Sequence, residues 1–128
     1  MAGRDSDTRL KYRGAFTEIG RALPALLNAN SGNPTTVFTH DIAVAEELKA
    51  DFLIHNSSAS PVSVTLRVLP AGTTSPGAVV NQVFGAEVEA KGTTLLAFGK
   101  VLAYGDVVVG WAGTADVVAV HTDYAYDG

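Results

Sequence analysis

Apolar and polar residues alternate most regularly between Leu48 and Leu69. Leu48, Ala50, Phe52 and Ile54 interleave with Lys49, Asp51, Leu53 and His55, and after a break Val62, Val64, Leu66 and Val68 interleave with Ser63, Thr65, Arg67 and Leu69. A period of two sends successive side chains to opposite faces of a strand, one dry and one wet. The break, Asn56-Ser-Ser-Ala-Ser-Pro61, holds side chains that bond their own backbone in turns and a proline that cannot donate to a ladder. The two arms predict a β-hairpin in an antiparallel sheet with one buried face. Leu53 and Leu69 are the apolar exceptions on its wet face, and hence the first places to look for a neighbouring chain.

The remaining chain follows the same rhythm. Thr35 to Thr39 (TTVFT), Val79 to Phe84, Thr93 to Phe98, Val101 to Tyr104, Val107 to Trp111 and Val117 to Tyr124 or Tyr126 read as short strands, separated by turn signals such as Gly105-Asp106 and Ala112 to Asp116. With no helical stretch long enough for a parallel crossover, the expected fold is all-β: an antiparallel, jelly-roll-like sandwich of about eight strands. Phe16, Ile19, Leu23, Leu26 and Leu27 fall at helical spacing, but Gly20 and Pro24 break it. Residues 1–34 are therefore expected to form an extended N-terminal arm and loop, with the sandwich domain over 35–128.

A chain of 128 residues with 47% apolar content suits one domain with a real core, and the low charged fraction of 17% fits Val-rich strands. No apolar run reaches the roughly 20 residues that span a bilayer, and MAGRDSDTRLKYR lacks the apolar segment of a signal peptide, so a soluble chain outside the membrane is expected. The absence of cysteine excludes disulfides and thiolate metal sites. A net charge of -4 argues against direct nucleic-acid binding. That charge is uneven: residues 1–23 carry five basic and three acidic groups, a net +2, against four basic and ten acidic groups in the rest. A basic arm on an acidic body suits docking onto an acidic neighbour, and a solvated terminus accounts for it equally.

Candidate chemistry is sparse. His121 and Asp123 share one strand face, a usable geometry for two metal ligands, but a third would have to come from elsewhere; a further alternative is a small hydrolase or cupin-like metal enzyme using His40, His55 and His121. Glu46 with Glu47 and Glu87 with Glu89 lie in polar segments better suited to a solvated face than to a glycosidase pair. No nucleophile elbow, Walker loop or dinucleotide fingerprint is present. These observations favour a chain with no catalytic role and no cofactor or metal. Trp111 with Tyr104, Tyr124 and Tyr126 offers an aromatic platform for a sugar; the alternative is that Trp111 fills the core and the tyrosines pack at a rim.

The order of features from Thr36 to Asp127 resembles small β-sandwich virion proteins of tailed bacteriophages, of the head-decoration, neck or tail-accessory type. The likeness rests on TTVFT, ADFLIHNSSASPVSVTLRVLPAG, TTLLAFGKVLAYGD and VVVGWAGTADVVAVHTDYAYD, with Asn56 at a strand end, Pro70 and Gly72 after the next strand, and Leu102, Gly105 and Asp106 at a turn. Residues 41–47 depart from the pattern, being acidic and apolar where a Pro-Gly-Lys-like turn is expected. The resemblance implies a non-enzymatic subunit of the virion, assembled in the host cytoplasm. It would dock on other virion proteins, the major capsid or neck and tail chains, and associate as a trimer or higher homo-oligomer. The contact candidates are Arg4, Arg9, Lys11, Arg13 and Phe16 of the arm with Leu53 and Leu69 of the body. The alternative is a tail or baseplate carbohydrate-binding module using Trp111, Tyr104 and the loop at 70–77.

Overall fold

The computed structural model describes residues 17–21, 23–42, 47–72 and 82–127. In chain order the strands are β1 (Thr17–Arg21), β2 (Ala25–Leu26), β3 (Thr35–Thr39), β4 (Glu47–Asn56), β5 (Val62–Leu69), β6 (Gln82–Val88), β7 (Thr93–Ala103), β8 (Val107–Ala112) and β9 (Val118–Asp127). They form two antiparallel sheets, ordered β1-β9-β4-β7 and β3-β8-β5-β6. β2 also pairs with β9, on the edge left free by β4, so β1 and β2 are two halves of one interrupted strand. The interruption follows from register: Arg21 faces Asp123 but Ala25 faces Val120, so the arm carries one extra residue in a stretch that contains Pro24. Counting β1 and β2 once, strand order 1-8-3-6 faces 2-7-4-5. This is the eight-stranded jelly roll built from two Greek keys.

The alternating arms at Leu48–Leu69 form strands as expected, but they do not pair as a hairpin. β4 hydrogen-bonds to β7 and β9 in one sheet, and β5 to β6 and β8 in the other. The physical reason is that each dry face needs a second layer. Phe52 and Ile54 of β4 and Val64 and Leu66 of β5 bury against one another across the sandwich, in one cluster with Leu48, Leu102, Val108, Val118 and Val120. Each such side chain removed from water contributes about 1.5–3 kcal/mol.

The turn between β4 and β5 is thus a corner between sheets, and Asn56 builds it. Its fully buried side chain donates from Nδ2 to the carbonyls of Ser60 (2.8 Å), Val88 (3.0 Å) and Glu89 (3.1 Å), while Oδ1 accepts from the Ser58 N–H (2.9 Å) and hydroxyl (2.8 Å). At the other end of the sandwich Asp106 accepts from the amides of Ala103 (2.9 Å) and Ala71 (3.2 Å), and His40 exchanges backbone hydrogen bonds with the same turn.

Two further regions differ from the sequence reading. Residues 17–27, expected within an extended arm, pair along β9 and send Leu27 into the core at 0% exposure. Its amide donates to Val118 (2.9 Å) and its carbonyl accepts from Asp116 (3.0 Å), so backbone pairing holds the plug in place. The two strands expected at Thr93–Phe98 and Val101–Tyr104 are one strand, β7, with a bulge where Ala50 faces Lys100 and Phe52 faces Leu96.

Candidate functional site

The three histidines are not brought together. His40 follows β3, fully buried, with its Nδ1 accepting from the Ile42 amide (3.3 Å) and its ring edge-on to Tyr104 at 5.7 Å. His55 and His121 lie on the outer face of the opposite sheet, where His55 bonds to the Thr93 hydroxyl (2.9 Å) and His121 stands across from Leu53. A metal-enzyme reading that uses all three is overturned by their placement on two different sheets. His121 and Asp123 do share a face, and the register sets Asp51 directly opposite Asp123. Among the described residues no group of three or more His, Asp or Glu side chains gathers in metal-binding geometry. Glu87 and Glu89 are exposed on and just after β6, and Glu47 is exposed at the start of β4; Glu46 lies outside the described residues.

Trp111 corrects the core-filling expectation. In β8 the inward positions are Val108, Gly110 and Ala112, so Trp111 stands half-buried on the outer face, opposite Thr65, with the Arg67 guanidinium 5.0 Å from its ring centroid. Beneath it there is no room for a ring. The inward space at Gly110 is filled by Leu66 and Leu27, whose methyl groups lie 2.5 and 3.3 Å from where a Cβ would be. A cation over an aromatic face at this distance is an attractive pairing that holds both side chains against the sheet.

The remaining aromatics do not join Trp111 in a platform. Tyr104 is 52% exposed in the turn that precedes β8, at the opposite end of that strand from Trp111. Tyr124 belongs to the other sheet, faces inward and packs on Phe38 at 5.2 Å. Tyr126 pairs through its backbone with Leu48 and Glu18. The sequence reading did not single out Arg67 beside Trp111. The two meet only because β5 and β8 are register partners, although they are more than forty positions apart in sequence.

What the described surface does present is strand edges. β6 and β7 border one side of the sandwich, and β3 with β1 and β2 border the other. On the second side Leu23 is 88% exposed and Leu26 53%, an apolar pair at the break in the edge strand. On the first side Val101 is 47% exposed, and a shallow depression of about 240 Å³ opens between Val88, Glu89, Gly92 and Thr93. Leu53 is half-buried on the outer face, whereas Leu69, expected on the wet face, is buried at 6%. Arg4, Arg9, Lys11, Arg13 and Phe16 lie outside the described residues, as do residues 73–77 of the 70–77 loop.

No protein-family model matches the chain, and no curated protein matches its sequence. Solved structures similar in fold include the following two. One is a chain from Bacillus endospore appendages, described as a novel family of disulfide-linked pili, at 13% identity over 88% of this chain and 87% of that one, with a TM-score of 0.49. The other is a chain of infectious bursal disease virus, strain Gx, at 13% identity and a TM-score of 0.40. That match covers 87% of this chain and 32% of the viral one, so this chain spans about a third of its length.

Proposed function

We propose that this chain is a non-enzymatic structural subunit of a tailed-bacteriophage virion, a capsid decoration or a minor capsid or neck protein. It docks on other virion chains through its N-terminal arm and a sandwich edge. The observation that carries this reading is the arm-side edge itself, where Leu23 and Leu26 stay in water although the core nearby is fully packed. Exposed apolar side chains along an open strand edge are what an assembling subunit covers with a partner. The basic arm feeding into that edge and the acidic body supply complementary charge between copies.

Deletion of residues 1–16 leaves β1 in place and tests the arm directly. Incorporation of the variant into particles is expected to fall sharply, and unchanged incorporation overturns the docking role. Light scattering of the purified full chain is expected to show a trimer or larger ring.

A second reading, a carbohydrate-binding module of tail or baseplate, is favoured by the outward position of Trp111 beside Thr65 and Arg67. Glycan-array binding that vanishes in Trp111→Ala, with circular dichroism unchanged, supports it. Absence of binding by the intact chain refutes it.

A further inference from the structure

We propose that His55 and His121 form a two-imidazole site for a borderline divalent transition ion such as Zn2+, on the outer face of the sheet that holds β4 and β9. This goes beyond the assembly reading and does not rest on it. The pattern along β9 places His121 beside Asp123, but the fold gives His121 a second histidine as neighbour. β4 and β9 run antiparallel in a register that sets His55 opposite Ala119 and His121 opposite Leu53. The two histidines are therefore diagonal neighbours on one face, about 7–8 Å apart between Cα atoms. Two imidazole side chains and an ion with Zn–N bonds of about 2.0–2.1 Å span that gap.

The ring of His55 is already oriented for such a role. Its Nδ1 is hydrogen-bonded to the Thr93 hydroxyl at 2.9 Å, and Thr93 lies on β7, across β4 from β9. Nε2, at the other end of the ring, is left on the side away from β7, which is the side of His121. A neighbouring oxygen on the second ring nitrogen is how metal-ligating histidines are held, because that bond fixes both the tautomer and the ring orientation. With Nδ1–H donating to Thr93, the Nε2 lone pair is the one a metal takes up.

The surroundings suit a cation. The register rows that hold the pair otherwise contain Leu26, Ala119, Thr93, Leu53 and Leu95, with no lysine or arginine. Lys49, the nearest basic residue of β4 on that face, is six positions from His55, about 20 Å along the strand. Both histidines are half-buried, and both strands are paired on each side, so the backbone holds the two positions before an ion arrives. Among the described residues no third His, Asp or Glu completes a metal-binding group, so solvent fills the remaining positions of the shell. A site of imidazoles favours Zn2+, Ni2+ or Cu2+ over Mg2+ and Ca2+.

Zinc titration of the full chain tests the site, by calorimetry and by the ring signals of the three histidines in NMR. One ion per chain is expected, with the rings of His55 and His121 shifting together while that of His40, fully buried after β3, stays in place. His55→Ala and His121→Ala are each expected to abolish the one-ion isotherm, and Thr93→Val, which removes only the orienting hydroxyl, to weaken it about tenfold. All three side chains lie on the outer face, and an unchanged Tm in metal-free buffer shows that each variant folds. Mg2+ is expected to move none of the ring signals. Zinc binding that survives both histidine variants, movement of only one of the two rings, or the absence of any zinc-dependent shift overturns the proposal.

Discussion

Replacing Asn56 by aspartate is the most demanding test of the sheet-to-sheet corner. The substitution keeps the shape but removes both N–H donors, which serve three carbonyls at 2.8, 3.0 and 3.1 Å, and sets a carboxylate oxygen against those same carbonyls. Two lost hydrogen bonds cost about 1–1.5 kcal/mol each, and burying an uncompensated charge adds further, so the expected loss is about 4 kcal/mol. That is a large share of the roughly 6–19 kcal/mol available to a domain of this size. Urea unfolding followed by the fluorescence of Trp111, the only tryptophan, measures it. Asn56→Ala, which lacks the repulsion, is expected to lose about 2–3 kcal/mol.

The aspartate variant carries a pH signature that the alanine variant lacks. Burial against carbonyls raises the introduced carboxyl above its unfolded value of about 3.9. Its penalty is absent below that value and grows as pH rises towards the folded one, so the difference from the parent chain narrows as pH falls from 7 towards 4. A difference under about 1 kcal/mol at pH 7, or one that does not change with pH, refutes the assignment of Asn56 Nδ2 as the donor that ties the β4–β5 corner to the carbonyls of Val88 and Glu89.

Other outcomes follow from the same packing. Thr122 faces the core at 1% exposure with its hydroxyl lacking a hydrogen bond, so Thr122→Val is expected to raise stability by about 1 kcal/mol and shift Tm upward by a few degrees in calorimetry. A lowered Tm refutes it. Leu27→Ala empties the plug above Gly110 and is expected to cost about 2–5 kcal/mol in urea unfolding. A loss below about 1 kcal/mol would mean that residues 17–27 are dispensable to the sandwich. Gly105 has φ 93° and would place a Cβ 2.8 Å from the Ala71 methyl, so Gly105→Ala is expected to destabilise by about 2 kcal/mol. Unchanged unfolding of that variant would exclude a close approach of the two loops.

The alternation from Leu48 to Leu69 and the turn rhythm after it determined strands, an antiparallel sandwich and the faces to be buried, because a period of two is a local property of the backbone. Asn56, Gly105 and Asp106 were legible as turn residues for the same reason: their short-range hydrogen bonds and φ preferences act within a few positions. Which strands pair was not local. An alternating pattern fits a hairpin and a sheet-to-sheet corner equally, and only the need to cover both dry faces at once placed β4 and β5 in opposite layers. Arm residues 17–27 carried no alternating pattern to announce a strand, and β9 supplied the ladder that made one. Trp111 was large and apolar enough for a core, but Leu66 and Leu27 already fill the space beneath Gly110, so steric exclusion sets it outward under Arg67. Sequence thus settled which faces are dry, and tertiary structure alone settled which residues share a surface, because a surface is assembled from strands distant in the chain.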